Sequence, residues 1–384
     1  VLYGIAAATT ALLLAAVLAA LFRVPALRLG LVDRRRQRPV PLSGGVAVVL
    51  VTCLVVFAGD WLDTAPLDDE VRDLLIAGAA IAVLGLVADV WRLKARFLVV
   101  CTAVAAAWVV PYADLGVPGG VLAAGWVTFV ALAFRSLDHA DGLAGTVGVL
   151  TAFGVAACAA AEVMDGLAGL LSVLAAALTG FLLHNWPPAR VAFGGCGSLF
   201  AGFLLAVVAV TVRAGHGLGV NLGVLFALTA VAGADVALVV LSRRLAGRPL
   251  PRRAPDHLAH RLRRLGLTGQ GAAVLLGMLA FAGVLVGVLV HLGWLGAQAL
   301  WWVAGVTPAV VLGLTRVPVG HARVRRPTGP KQMSQQASTQ TSTGMPTGMP
   351  VRMPVRMPTG MSARISSQAQ ASPQVRARLR VRNG

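Results

Sequence analysis

Asp138 and Asp141 stand three residues apart in the string FRSLDHADGLAG, a spacing that puts both carboxylates on one face if the segment is helical. Two like charges beside an apolar run are costly unless a cation or a basic ligand accompanies them. The pair therefore suits a divalent ion or phosphate chemistry, with a solvated interface as the plain alternative. His257 and His260 repeat the spacing next to Asp256, Arg261 and Arg263. Without cysteines nearby they make a poor zinc site, whereas imidazoles among arginines suit a phosphate group. A solvated basic loop would have the same composition.

Asp235 is the least ordinary residue, since it lies inside an apolar run about two helical turns before Arg243. A buried carboxylate needs a partner, and an ionisable group within a membrane segment is a functional candidate by default. Asp89 falls at the end of another apolar run, with Arg92 and Lys94 just beyond it. Arg34, Arg35, Arg36 and Arg38 precede Pro39, Pro41, Gly44 and Gly45, which read either as a topology signal or as a shaped loop entering a helix. His184 and Asn185 precede WPPAR, where an imidazole and an amide could hold a polar ligand or cap a helix. Gly194, Gly195, Gly197 and Ser198 leave backbone N–H groups where a helix begins, and an exposed helix N-terminus favours anions. The same glycines would equally permit close packing.

The elements that must carry these groups are membrane helices. The chain has 384 residues, 57% of them hydrophobic and only 12% charged, against roughly 25% charged in a soluble domain; its mean hydropathy is +0.80. A net charge of +18 would fit nucleic acid, but the basic residues fall into short clusters between apolar runs and into the last stretch of the chain, so no nucleic-acid partner is expected. Cys53, Cys101, Cys158 and Cys196 lie in or beside apolar segments without paired spacing and read as small buried hydrophobes. The first apolar stretch has no basic n-region and no cleavage-like site, so it reads as a retained helix.

Apolar runs able to cross about 30 Å of hydrocarbon occur near 1–22, 42–58, 71–88, 97–112, 118–134, 143–161, 166–183, 197–212, 219–241, 270–291 and 298–315. The expectation is an all-α polytopic membrane protein of about eleven transmembrane helices, or ten if a short run does not cross. Arginine and lysine gather in the odd-numbered connections, while the even ones carry Asp60, Asp63, Asp68, Asp69, Glu70, Asp114, Glu162 and Asp165. By the positive-inside rule the N-terminus is then outside and the C-terminus cytoplasmic. The membrane domain runs over 1–316, and 317–384 is expected to be a basic, low-complexity, disordered tail with repeated Met-Pro units.

In order and in topology, these motifs resemble those of the polyprenyl-phosphate N-acetylhexosamine-1-phosphate transferases, over about residues 1–316. The family includes the enzymes that move GlcNAc-1-phosphate to undecaprenyl or decaprenyl phosphate, the branch this chain resembles more, and phospho-N-acetylmuramoyl-pentapeptide transferase. Residues 33–45 resemble its first loop, an Asp and basic residues followed by Pro-x-Pro and a Gly pair. Residues 84–96 resemble a stretch with two adjacent aspartates. Residues 135–145 resemble Asn-x-x-Asp-Gly-x-Asp-Gly-Leu-Ala, keeping Asp138 and Asp141–Gly142–Leu143–Ala144. Residues 185–198 resemble Asn, Pro-Ala and Gly-Asp-x-Gly-Ser, and 235–262 resemble an intramembrane Asp, an Arg and a histidine-rich box.

The resemblance implies transfer of a sugar 1-phosphate from a UDP-N-acetylhexosamine to a polyprenyl phosphate at the cytoplasmic face of a bacterial inner or plasma membrane. It implies Mg²⁺, with Mn²⁺ as an alternative, held by Asp138 and Asp141. Asp89 would orient or deprotonate the lipid phosphate, and Arg38, Arg135, Asp235, His257, His260 and Arg261 would line the phosphate site. Asn185 would contact the nucleotide or the acidic loop, the lipid chain would lie in an apolar groove between helices, and a homodimer is allowed. Several family positions are lost: Ala88 stands for one of the paired aspartates, Arg135 for an asparagine, His139 for a glycine, Gly195 for a metal-binding aspartate and Ala259 for a histidine. A member without catalysis, binding lipid phosphate or serving as a partner subunit, is the alternative these losses imply.

Overall fold

The computed structural model describes residues 2–33, 40–91, 93–247 and 256–317. Each of the eleven apolar runs coincides with one helix: α1 (Leu2–Leu21), α3 (Ser43–Trp61), α4 (Asp69–Trp91), α5 (Ala95–Val109), α6 (Tyr112–Leu137), α7 (Leu143–Ala161), α8 (Asp165–Asn185), α9 (Gly194–Val212), α10 (Leu218–Leu245), α12 (Gly269–His291) and α13 (Ala299–Thr315). Two short helices that hydropathy did not mark, α2 (Arg23–Arg28) and α11 (Leu258–Arg264), lie in the first and the last of the basic connections.

Among the described residues, nine helices are long and apolar enough to cross a membrane, with α1 and α2 running as one span over Tyr3–Arg28. The protein is thus an all-α polytopic membrane protein. The apolar helices α5 and α13 are shorter; at about 1.5 Å per residue they reach only roughly 22 and 26 Å.

Buried residues line every side of α9, which packs against α3, α4, α6 and α7. A helix that is apolar all round can be enclosed in this way, and glycines allow its neighbours to come close. A Cβ on Gly45 of α3 would strike the carbonyl of Phe193 and the backbone of Gly197, and one on Gly85 of α4 would strike the backbone of Gly195. These contacts fix the start of α9 against two helices. The two-residue strands β1 (Val32–Asp33) and β2 (Val40–Pro41) pair antiparallel. They tie the first basic connection to the start of α9, because Ala192 N–H donates to Pro41 O at 2.8 Å and Gly44 N–H donates to Ala192 O at 3.1 Å.

Candidate functional site

The last turn of α6 reaches in two directions. Arg135 Nη2 donates to Asp89 Oδ1 at the end of α4, 2.8 Å away. The next residue, Ser136, donates through Oγ to Asp235 Oδ2 on α10 at 3.0 Å. One helix end thereby joins the carboxylate of one basic connection to the buried acid near another.

Asp138 and Asp141 lie in a turn between α6 and α7 rather than in a helix, so they do not share a helical face. Asp138 Oδ2 accepts from Gly194 N–H at 2.8 Å, whereas Asp141 Oδ2 accepts from Ala189 N–H at 3.0 Å. Asn185, buried at the end of α8, accepts from Gly142 N–H at 2.9 Å and donates to Val191 O at 2.8 Å. Gly142 and Gly194 take left-handed backbone, φ 74° and 69°, which glycine adopts at little cost. Two carboxylates and one amide thus staple segment 138–142 to segment 189–195. Of the two readings of the glycines at the start of α9, close packing is the one found: Gly194 and Gly195 are buried, and their N–H groups are taken by Asp138 and by Asp89 Oδ2 at 2.5 Å.

On the other side of α6, Asp235 is fully buried and holds three groups. Besides Ser136, its Oδ2 takes the Nδ1–H of His257 at 2.9 Å, and its Oδ1 takes Leu258 N–H at 2.9 Å. Bonds to an ionised acceptor are how a buried carboxylate is tolerated. His139 stacks on His257 with centroids 4.0 Å apart, and His260 meets His139 edge-on at 5.0 Å. His139 Nδ1 lies 2.8 Å from the Ser136 carbonyl, which can only accept, so Nδ1 carries the proton. Its Nε2 is left as a buried acceptor with no partner among the described residues. Burial pushes His139 down to about 4, against the pull of Asp235, and burial also lowers His260. Sequence reasoning did not select His139; its position between two acids in SLDHAD was the available signal.

Arg261 departs from its expected place in a phosphate clamp. Its buried guanidinium donates to Ser242 Oγ at 2.6 Å, to Val317 O at 3.3 Å and to Leu314 O, joining α10, α11 and the end of α13. Arg243 pairs with Asp256 at 3.5 Å rather than with Asp235. Arg38 lies outside the described residues. Beside the histidines, α10, α12 and α13 enclose an apolar groove of ≈ 240 Å³ lined by Ala234, Leu258, Gly283, Trp302, Val306 and Thr307.

Residues 71–213, the segment holding Asp89, Arg135, Asp138, Asp141 and Asn185, match glycosyl transferase family 4. A protein of Streptomyces coelicolor provisionally named a glycosyltransferase is 64% identical over 334 residues, covering 86% of this chain and 81% of its own. The chain belongs to glycosyl transferase family 4. Decaprenyl-phosphate N-acetylglucosaminephosphotransferases are more distant relatives. That of Mycolicibacterium smegmatis is 28% identical, over 67% of this chain and 76% of its own, and that of Mycobacterium tuberculosis is 29% identical, over 64% and 72%.

In this family 4 member three of the five positions at which the resemblance implies a loss, Ala88, Gly195 and Ala259, are buried. Among the described residues two groups have ligand atoms close enough to share one ion, His139–Asp235–His257 and Glu162–His216–His291. The second sits at the far end of α7, about 28 Å from Asp141 for 19 helical residues. Neither group contains Asp89, Asp138 or Asp141. Nitrogen-rich sets of this kind favour transition metals over Mg²⁺, which prefers oxygen. The Mg²⁺ implied by the family resemblance finds no ready site in these carboxylates: among the described residues they form no group with ligand atoms close enough to share an ion, each accepts from a different backbone N–H, and Asp89 is paired with a guanidinium.

Proposed function

We propose that this protein transfers an N-acetylhexosamine 1-phosphate, with GlcNAc 1-phosphate favoured, from a UDP-sugar to a polyprenyl phosphate at the cytoplasmic face of the bacterial plasma membrane, for cell-envelope glycopolymer synthesis. The observation that carries this reading is the meeting, at the end of α6, of Asp89, Arg135, Asp138, Asp141 and Asn185 with the Asp235–His139–His257–His260 cluster, next to an apolar groove. The names of the mycobacterial relatives support the lipid and the sugar. The arginine-rich connections support a cytoplasmic placement of this end, with the N-terminus outside and a membrane domain over 1–316 ahead of a basic tail.

In the reaction, an oxygen of the lipid phosphate attacks the phosphorus nearest the sugar. The P–O bond to the nucleotide breaks and UMP leaves with the bridging oxygen. Two polyanions must approach, so neutralisation and positioning are the main tasks. Arg135, His257 and His260 supply donors, with Arg38 a proposed further anion ligand from the first connection. His139 Nε2, a buried acceptor with no partner among the described residues, can take a hydrogen bond from a protonated phosphate oxygen while the proton stays on the phosphate, since burial keeps His139 neutral. Asp89 orients Arg135 and Asp235 orients His257, while Asp138, Asp141 and Asn185 act as positioning residues for the turn before α7. The groove beside Leu258 suits the first units of the polyprenyl chain.

A second reading is favoured by one observation, the closure of Asp89 by Arg135: a family member that binds polyprenyl phosphate without transfer. Both are tested by incubating the purified protein in lipid with polyprenyl phosphate and a panel of UDP-sugars, scoring UMP. Release with a UDP-N-acetylhexosamine that stops in His257→Ala supports transfer. Retained lipid binding without UMP from any donor moves the assignment to the second reading.

A further inference from the structure

The Arg135 guanidinium lies directly against Gly195, where any side chain would stand: a Cβ built at residue 195 would collide with Nη1 and Cζ of Arg135. The notch beneath is made of backbone, since a Cβ on Gly85 would strike the Gly195 carbonyl. Arg135 Nη2 is fixed at 2.8 Å by Asp89 Oδ1, and the other oxygen of Asp89 holds Gly195 N–H at 2.5 Å. Nη1 is buried and has no acceptor among the described residues. Packing against Gly195, rather than hydrogen bonding, therefore sets where that half of the guanidinium sits. Arg135 and Gly195 are one unit, in which the missing side chain makes the room that the cation fills.

We propose that Arg135 is the resident cation of the Asp89–Asp138–Asp141 patch. It stands in place of a divalent ion, so the patch takes up no Mg²⁺ or Mn²⁺ and the protein recognises polyprenyl phosphate without one. The lipid clause rests on the function proposed above; the metal clause does not. A fixed guanidinium repels a dication placed beside it. Asp89, Asp138 and Asp141 each give one oxygen to a separate N–H group, on Gly195, Gly194 and Ala189, and the second oxygen of Asp89 goes to Arg135, so the three are pulled apart and do not form a group able to share one ion among the described residues. A single charge that cannot dissociate neutralises Asp89, and the turn carrying Asp138 and Asp141 is held by backbone bonds instead of by an ion.

The test counts Mn²⁺ bound to the purified full-length protein by the loss of the free-ion electron paramagnetic resonance signal. Wild type, Asp141→Asn and the double variant R135N/G195D are compared. Any ion held by the two histidine-containing groups is common to all three. Equal stoichiometry in wild type and Asp141→Asn is expected, with one additional Mn²⁺ in R135N/G195D. One more Mn²⁺ in wild type than in Asp141→Asn overturns the proposal. So does a folded double variant that binds no more than wild type, and if that variant does not fold, the first comparison decides alone. In a second arm, the affinity for undecaprenyl phosphate is expected to change less than roughly twofold between EDTA and Mg²⁺ buffers; a loss of roughly tenfold in EDTA, about 1.4 kcal/mol, overturns the lipid clause. Absence of lipid binding in both buffers contradicts the proposed function and also ends that clause, while the Mn²⁺ count still decides the metal clause.

Discussion

His139 lies stacked on His257, the ring centroids 4.0 Å apart and the planes 17° from parallel. Two imidazolium rings so close would repel, and burial removes the solvent that could screen them. His139 is accordingly pushed down to about 4, burial being the largest cause. In the unfolded chain an ordinary histidine titrates near 6.5. Between about 6.5 and about 4 the unfolded state therefore binds a proton that the folded state does not, so this residue's contribution is present above that window and is lost as pH falls through it. The thermal unfolding midpoint should decline over that range, and less steeply in His139→Gln. Parallel profiles for the two proteins would contradict the assignment.

Asp235→Asn should be one of the most damaging single-atom changes in the chain. The carboxylate accepts from Ser136, His257 and Leu258, and an amide can accept at only one of its two ends. One buried donor then faces another, at a cost of roughly 1–3 kcal/mol. A lower unfolding midpoint is expected, together with loss of the His139–His257 stacking, which ring-proton shifts would register. A variant as stable as wild type would show that the three bonds are not formed.

Arg261→Lys separates scaffold from ligand binding. A lysine cannot reproduce the fork that joins Ser242, Leu314 and Val317, so about 1–3 kcal/mol of stability should be lost. The affinity of the remaining folded protein for a lipid phosphate should stay unchanged. A large affinity loss at unchanged stability would return Arg261 to the clamp expected from the sequence.

Gly45→Ala should disturb the site from a distance, because its new methyl meets the backbone of Phe193 and Gly197 at the start of α9. Backbone cannot rotate away, so overpacking of about 1–3 kcal/mol is expected. Gly169→Ala, where nothing lies within 4 Å, should be neutral or slightly stabilising. Equal behaviour of the two variants in thermal unfolding would argue against close packing of α3 on α9.

Most of the fold is legible in the sequence because a bilayer leaves few choices: a run of apolar residues must satisfy its own backbone, and only a helix does so within one segment. Each of the eleven runs became a helix on that ground. Asp235 was also legible, as a lone charge in an apolar run. Its partners were not, since Ser136 and His257 are 99 and 22 residues away in the chain. Arg243, about two turns further along the same helix, pairs with Asp256. The i,i+3 spacing of Asp138 and Asp141 would set them on one face only in a helix, and the segment is a turn that ends in Gly142 with left-handed backbone. Arg135 and Gly195 looked like two separate losses, and only three-dimensional packing shows that one residue fills the space left by the other.

Phosphate-selective lipid binding is the most direct measurement. The affinities of wild type and His257→Ala for undecaprenyl phosphate and for undecaprenol, in bilayers of uncharged lipid, isolate the contribution of the headgroup. Wild type should prefer the phosphate by at least roughly tenfold, about 1.4 kcal/mol, and His257→Ala should lose most of that preference. Equal affinity of the wild-type protein for phosphate and alcohol would contradict a polyanion site at the end of α6.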